Sequence, residues 1–162
     1  MLYHQFCDMA MGVCMRYSSS EHDAEDILQD SFVTVFRKLD TFKGDGALGG
    51  WIRKITVNTA LMHYRKNKKN RLYAEIEESG IDPTSDDDVF NDISAKHLLG
   101  LIQQLPEGYR MVFNLYGIEG YKHHEIAEKL SISVGASKSN LSRAKEKLRK
   151  LLINKRNLKI GR

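Results

Sequence analysis

The chain has 162 residues and a mass of 18.6 kDa, with 41% hydrophobic and 28% charged residues. That length admits one ordinary domain or two very small ones, and the hydrophobic share supports a modest core, which excludes a wholly disordered chain. The formal charge of +4 is unevenly spread. Residues 1–71 carry 11 Lys/Arg against 8 Asp/Glu, residues 72–92 no Lys/Arg and 8 Asp/Glu, and residues 93–162 carry 14 against 5.

Only Pro83 and Pro106 interrupt the chain, strand-like alternation is almost absent and helical periodicity is pervasive, so the expected fold class is all-α. No apolar run approaches the length of a bilayer span. Met1 to Phe6 lacks the basic stretch and long apolar core of a signal peptide. The expected compartment is the cytoplasm. Cys7 and Cys14 lie two helical turns apart, too far for a disulfide, and both read as small core residues.

Phe6, Met9, Ala10, Val13, Cys14 and Tyr17 mark a first helix. Ala24, Ile27, Leu28, Phe32, Val35, Phe36 and Leu39 step by three or four and mark a second, packed antiparallel on it. Ser18 to Ser20 supply cap candidates, and Asp23, Glu25 and Asp26 suit a helix N-terminus. The opposite face carries Asp26, Gln29, Asp30 and Arg37.

Residues 41–50 read as a loop with four glycines and no Walker-type GxxxxGK[ST], which argues against a nucleotide-triphosphate site. From Trp51 to Arg71 the chain starts apolar and amphipathic and ends strongly basic, with Arg53, Lys54, Arg65, Lys66, Lys68 and Lys69 near Trp51 and Tyr64. Cations interleaved with aromatics suit single strands, whose backbone is neutralised while bases stack. The plainer reading is a core helix with a solvated basic end.

The segment from Leu72 to Asp92 has turn formers, one charge sign and little apolar periodicity, and reads as a flexible acidic linker. The expected organisation is a helical domain over 1–71, the linker over 72–92, a second domain over 93–156 and a basic tail over 157–162. In the second domain, helices are expected from Leu98 to Leu105, from Tyr109 to Tyr116, between Gly120 and Leu130, and from Val134 onward with Ser137, Leu141, Ala144, Leu148 and Leu151 inward. Short helix, tight turn and longer basic helix form the helix-turn-helix pattern. Ile132 plugs the turn, and Ala136, Lys138, Ser139, Asn140 and Arg143 face outward. Arg and Lys read guanine, Asn reads adenine and Ser holds phosphate.

Three blocks then carry a resemblance. Residues Ala24-Glu25-Asp26-Ile27-Leu28-Gln29-Asp30-Ser31-Phe32 resemble the AEDxxQExF block of sigma factor region two. Phe42-Lys43-Gly44-Asp45 with Trp51 to Asn58 resembles its promoter-melting segment. Leu105-Pro106-Glu107 with Glu125 to Ser139 resembles region four. Their order and the short length resemble the extracytoplasmic-function (ECF) sigma factors of bacteria, over nearly the whole chain. Relatives usually begin the first helix earlier than Met1. Leu48-Gly49-Gly50 replaces their aromatic-containing stretch, and Ala136 stands where many have Thr.

The resemblance implies a non-catalytic protein that binds core RNA polymerase, directs it to promoters and melts them. Asp26, Gln29 and Asp30 would dock the clamp of the largest polymerase subunit, and the polymerase surface implied spans the clamp and flap regions of the two large subunits. Phe42, Lys43 and Asn58 would hold an unstacked −10 base, with Arg53, Arg65 and Lys66 on phosphates. Ser133, Ala136, Lys138, Ser139, Asn140 and Arg143 would read the −35 element. The partners implied are core polymerase, promoter DNA and an anti-sigma factor, typically a membrane protein, with no cofactor, metal or small-molecule substrate. The rival readings are a polymerase-independent helix-turn-helix regulator and a small nuclease using Asp23, Asp26 and Asp30. The nuclease would need a partner His or second carboxylate cluster that no motif supplies. His123-His124 reads as a solvent-facing pair at a helix start.

Overall fold

A serine opens three of the helices. In the computed structural model, which describes residues 1–71 and 94–160, the Ser20 hydroxyl accepts from the Asp23 amide at 3.1 Å. The Ser94 hydroxyl accepts from His97 at 3.3 Å, and the Ser133 hydroxyl from Ala136 at 3.0 Å. Each satisfies an amide that the helix's first turn leaves unpaired. The helices are α1 (Leu2–Tyr17), α2 (Glu21–Lys38), α3 (Leu48–Arg71), α4 (Ala95–Gln103), α5 (Glu107–Phe113), α6 (His123–Leu130) and α7 (Val134–Ile160). Among the described residues there is no strand. The chain divides into two compact units, Met1–Glu75 and Ile76–Arg162. The expected linker over 72–92 lies outside the described residues.

In the first unit α1, α2 and α3 all pack on one another. Ala10, Phe32, Val35 and Ile52 are buried together, with Phe6, Leu28, Leu48 and Trp51 against them. Small polar residues also enter this core. Ser31 donates to the Ile27 carbonyl at 2.6 Å, Thr56 to Ile52 at 3.0 Å and Thr59 to Ile55 at 2.8 Å. Bonding back to its own helix satisfies each hydroxyl without a partner from a neighbour. The expected loop over 41–50 is shorter than predicted. A single 3₁₀ turn covers Leu39–Thr41, and α3 takes up Leu48, Gly49 and Gly50. A Cβ on Gly49 would stand 3.2 Å from the Phe6 ring, so α1 comes close here.

The second unit is centred on Leu101, Leu105, Ala144, Leu148 and Leu152, with Tyr109, Phe113 and Leu151 packed around them. The predicted inward face of α7 is borne out: Ser137, Leu141, Ala144 and Leu148 are buried. The helix expected from Tyr109 to Tyr116 instead passes from α5 into a π turn over Asn114–Ile118. The fully buried Asn114 donates from Nδ2 to the Arg110 carbonyl at 2.9 Å there. α7 continues to Ile160, into the stretch expected as a basic tail over 157–162.

Cys14 is fully buried, and burial pushes its thiol up to about 12. Cys7 is only half-buried, so the expectation of two core cysteines holds for one. At about pH 8 roughly one Cys14 in 10⁴ is thiolate, the reactive form. Iodoacetamide should therefore modify Cys7 alone in the native protein and both cysteines in denaturant, as read by peptide mass mapping. Equal native labelling would show that the first core is not sealed.

Candidate functional site

Three surfaces gather the candidate residues. The first is a groove of about 730 Å³ between α1 and α2, lined among others by Tyr3, Cys7, Met11, Asp26, Gln29 and Phe32. Its rim is apolar: Val33 is 50% and Phe36 53% exposed. This corrects the sequence reading, which placed Phe36 and Leu39 in the buried stripe. The stripe is wider than α1 and α3 can cover, and Phe36 and Leu39 lie on its uncovered edge. Contiguous exposed apolar surface of this kind marks an interaction site.

Asp26 and Gln29 line that groove and are exposed. Asp30 is engaged elsewhere, its carboxylate lying 2.7 Å from Nε2 of His63 on α3. Asp26 has the exposed His22 imidazole at 3.9 Å, one turn back on its own helix. The structure therefore brings Asp26 and Gln29 together on the groove and turns Asp30 toward α3.

The second surface is the loop over 42–47 and one edge of α3. Gly44 and Gly46 hold φ of 74° and 94°, conformations that an L side chain rarely adopts. Phe42 is half-buried, its ring tilted against Trp51 with centroids 5.3 Å apart. Part of that ring is already occupied, and Lys43 beside it is exposed. Along α3 the exposed Lys54, Asn58, Met62 and Arg65 recur at helical spacing and form one edge, with Lys66 flanking it. Arg53 is half-buried and lies about a third of a turn off that edge. Asn58, Arg65 and Lys66 are thus gathered on one side, and Arg53 stands apart from them.

The third surface is α6, its turn and the start of α7. Ser131 ends α6 in the left-handed region at φ 54°, and the Ile132 amide closes the turn on the Ala127 carbonyl at 3.0 Å. Ile132 is half-buried. On α7, Ala136, Asn140 and Arg143 share one edge and are half-buried, while Ser139 beside them is exposed. Lys138 is exposed roughly 160° round the helix from Asn140, on the flank toward His123. The Ser133 hydroxyl accepts from the Ala136 amide in capping α7 and keeps its O–H to donate.

Residues 2–70 match Sigma-70 region 2, and residues 96–148 match Sigma-70, region 4. The chain is 30% identical over 155 residues to the ECF RNA polymerase sigma factor SigE of Mycolicibacterium smegmatis, covering 93% of this chain and 60% of that relative. It is 29% identical over 158 residues to the ECF RNA polymerase sigma factor SigW of Bacillus subtilis, covering 90% of this chain and 83% of that relative. The chain belongs to the ECF group of the sigma-70 family.

The fold agrees. A solved co-crystal of the sigma factor RpoE with the anti-sigma factor NepR from Bartonella quintana matches at a TM-score of 0.54 and 23% identity, covering 93% of both chains. Region 2 of this sigma factor corresponds to the α1–α3 unit, and region 4 to helices α4–α7. Among the described residues no cluster of His, Cys, Asp and Glu could hold a metal ion. No described helix is long and apolar enough to cross a membrane.

Two region 4 residues escaped the sequence reading. Arg110 is 4% exposed, donating from Nε to the Ile102 carbonyl at 3.2 Å and from Nη2 to Gln103 at 3.1 Å and Leu105 at 2.6 Å. It closes the C-terminal end of α4, where carbonyls lack helical partners and a cation is favoured. Its place five residues after Leu105-Pro106 in the sequence is the only hint. His123 is the second. It was read as solvent-facing, yet it is half-buried and bonded across to α7. No periodicity argument could find that contact, because it joins two helices.

Proposed function

We propose that this sigma factor binds core RNA polymerase and directs it to promoters, recognising −10 and −35 elements and melting the duplex at transcription start. The observation that carries this reading is the joint match of region 2 and region 4 in one short chain. The groove of about 730 Å³ with its apolar rim and the Asp26 carboxylate takes the polymerase clamp. Apolar burial supplies affinity there, and Asp26 with Gln29 receives clamp cations through charge-assisted bonds. Asp30 contributes by tying α2 to α3 through His63.

Region 2 then presents Phe42, Lys43 and Asn58 to an unstacked −10 base, with Arg65 and Lys66 on the strand's phosphates and Arg53 supporting α3. Region 4 reads the −35 element through Ala136, Ser139, Asn140 and Arg143, with Lys138 and Ser133 on the backbone. The protein supplies binding and strand separation, with the chemistry left to the polymerase. Its working place is the cytoplasm, and an anti-sigma factor competing for the same groove keeps it idle.

The test is reconstitution. The full chain and purified bacterial core polymerase should co-elute on gel filtration, and the complex should enrich a two-element consensus from a random duplex pool. Enrichment of a consensus by the chain alone, with no co-elution, would favour the polymerase-independent regulator instead.

A further inference from the structure

Around His123 three elements meet. It is the first residue of α6, and its Nδ1 lies 2.9 Å from Oγ of Ser137, one turn into α7. Ser137 is fully buried although its neighbour Lys138 is exposed. The imidazole stacks on Tyr116 of the π turn, with centroids 4.6 Å apart and planes 18° from parallel. A half-buried ring is thus fixed by a flat stack on one side and a directional bond on the other. The bond lands on the reading helix between Ala136 and Lys138.

We propose that His123 is a positioning residue for −35 recognition, its neutral ring setting where the reading helix sits against α6. The proposal rests on the sigma-factor reading above. With the ring proton on Nε2, Nδ1 accepts the Ser137 hydroxyl proton. A second proton at Nδ1 turns that acceptor into a donor, and the serine O–H must rotate away. The cation would also sit at a helix N-terminus, where the dipole opposes it.

The charged and titratable groups around the ring are Lys138 from α7, Tyr116 from the π turn, and Lys122, His124 and Glu125 at its own helix end. The Glu125 carboxylate accepts the Lys122 amide proton at 2.7 Å. Burial first, and Lys138 second, hold the His123 pKa below its ordinary value. Neutral His123 therefore prevails at neutral pH. The contribution is complete above the ordinary histidine pKa and is lost as pH falls through the lowered one.

The experiment uses the full chain assembled with core polymerase and a duplex enriched from a random pool. The readout is the affinity ratio between that duplex and one with its upstream element scrambled. For wild type the ratio, followed downward from about pH 8, should fall about threefold to tenfold as pH passes below the lowered His123 pKa, the scale of one net hydrogen bond. His123→Phe, which keeps the stack and loses the bond, should be about tenfold less selective across the same range, with no pH dependence. His123→Asn places an amide oxygen near the Nδ1 position and cannot titrate. It should recover most of the selectivity, with a flat profile.

Ser137→Ala carries the same expectation as His123→Phe and serves if the phenylalanine variant does not fold. A wild-type ratio unchanged with pH, or a His123→Phe ratio equal to wild type, overturns the proposal alone. A wild-type complex that enriches no duplex overturns the sigma-factor reading, and this proposal with it.

Discussion

Arg110→Met should destabilise the second unit by about 3 kcal/mol and leave the first untouched. The guanidinium serves three carbonyls at the end of α4 while almost wholly buried. Methionine fills much of the same volume and donates nothing. Bonds to a charged donor contribute about 1.5–3 kcal/mol each, and carbonyls stripped of donors while still covered cost more than those that reach water. Some of the three will find solvent once the side chain is gone, which brings the sum down to the stated figure. For a unit of this size the melting midpoint should fall by roughly 15 °C.

The chain carries its own internal control. Its single tryptophan, Trp51, belongs to α3. Tryptophan fluorescence should keep its unfolding midpoint in the variant, while the α4–α7 share of the helical circular dichroism is lost earlier. A variant whose two signals move together, or not at all, contradicts the assignment of Arg110 as the closure of α4. Arg110→Lys should recover less than half of the loss, since one ammonium cannot span three carbonyls as the guanidinium fork does.

The second large effect is on assembly. Asp26→Arg should abolish co-elution with core polymerase, weakening the complex by at least about 100-fold. On the docking proposed above, a reversed charge would meet the clamp cations, and like charges pressed together cost several kcal/mol. Folding should be unaffected, because the Asp26 side chain is 55% exposed and the His22 imidazole, 3.9 Å away, is 83% exposed. Asp30→Arg would be a poorer probe, since it also breaks the contact with His63 that ties α2 to α3. Titration of labelled protein against core polymerase measures the effect. An affinity for Asp26→Arg equal to wild type would place the docking face elsewhere.

How far these sites were legible depended on the range of the interaction involved. The α7 pattern of Ser137, Leu141, Ala144 and Leu148 was readable because one neighbouring core imposes one period along one helix. The helix-turn-helix followed from the same logic, as did the capping serine before α2. The outer edge of α2 misled, because Phe36 is apolar yet 53% exposed, and periodicity cannot tell a position with a core neighbour from one without. Gly49 and Gly50 were read as loop from their low helix propensity, yet close packing of Gly49 on Phe6 favours helix there. His63 with Asp30 and His123 with Ser137 join residues far apart in sequence, so only the folded arrangement reveals them.

Under the −10 role proposed for it, the loop before α3 also sets terms for how promoter preference can drift. A Cβ on Gly44 or Gly46 would meet nothing within 4 Å, so room is not what keeps glycine there. Their backbone angles are, and a side chain in that region costs about 1–2 kcal/mol whatever its chemistry. Variation at these two positions is therefore penalised before any base is touched. Phe42, Lys43, Asp45 and Ala47 have no such backbone penalty, whereas Leu48 packs against the first core. A library built to retune the proposed −10 contacts should randomise those four and hold the two glycines fixed, and lineages diverging in promoter choice would explore the same four.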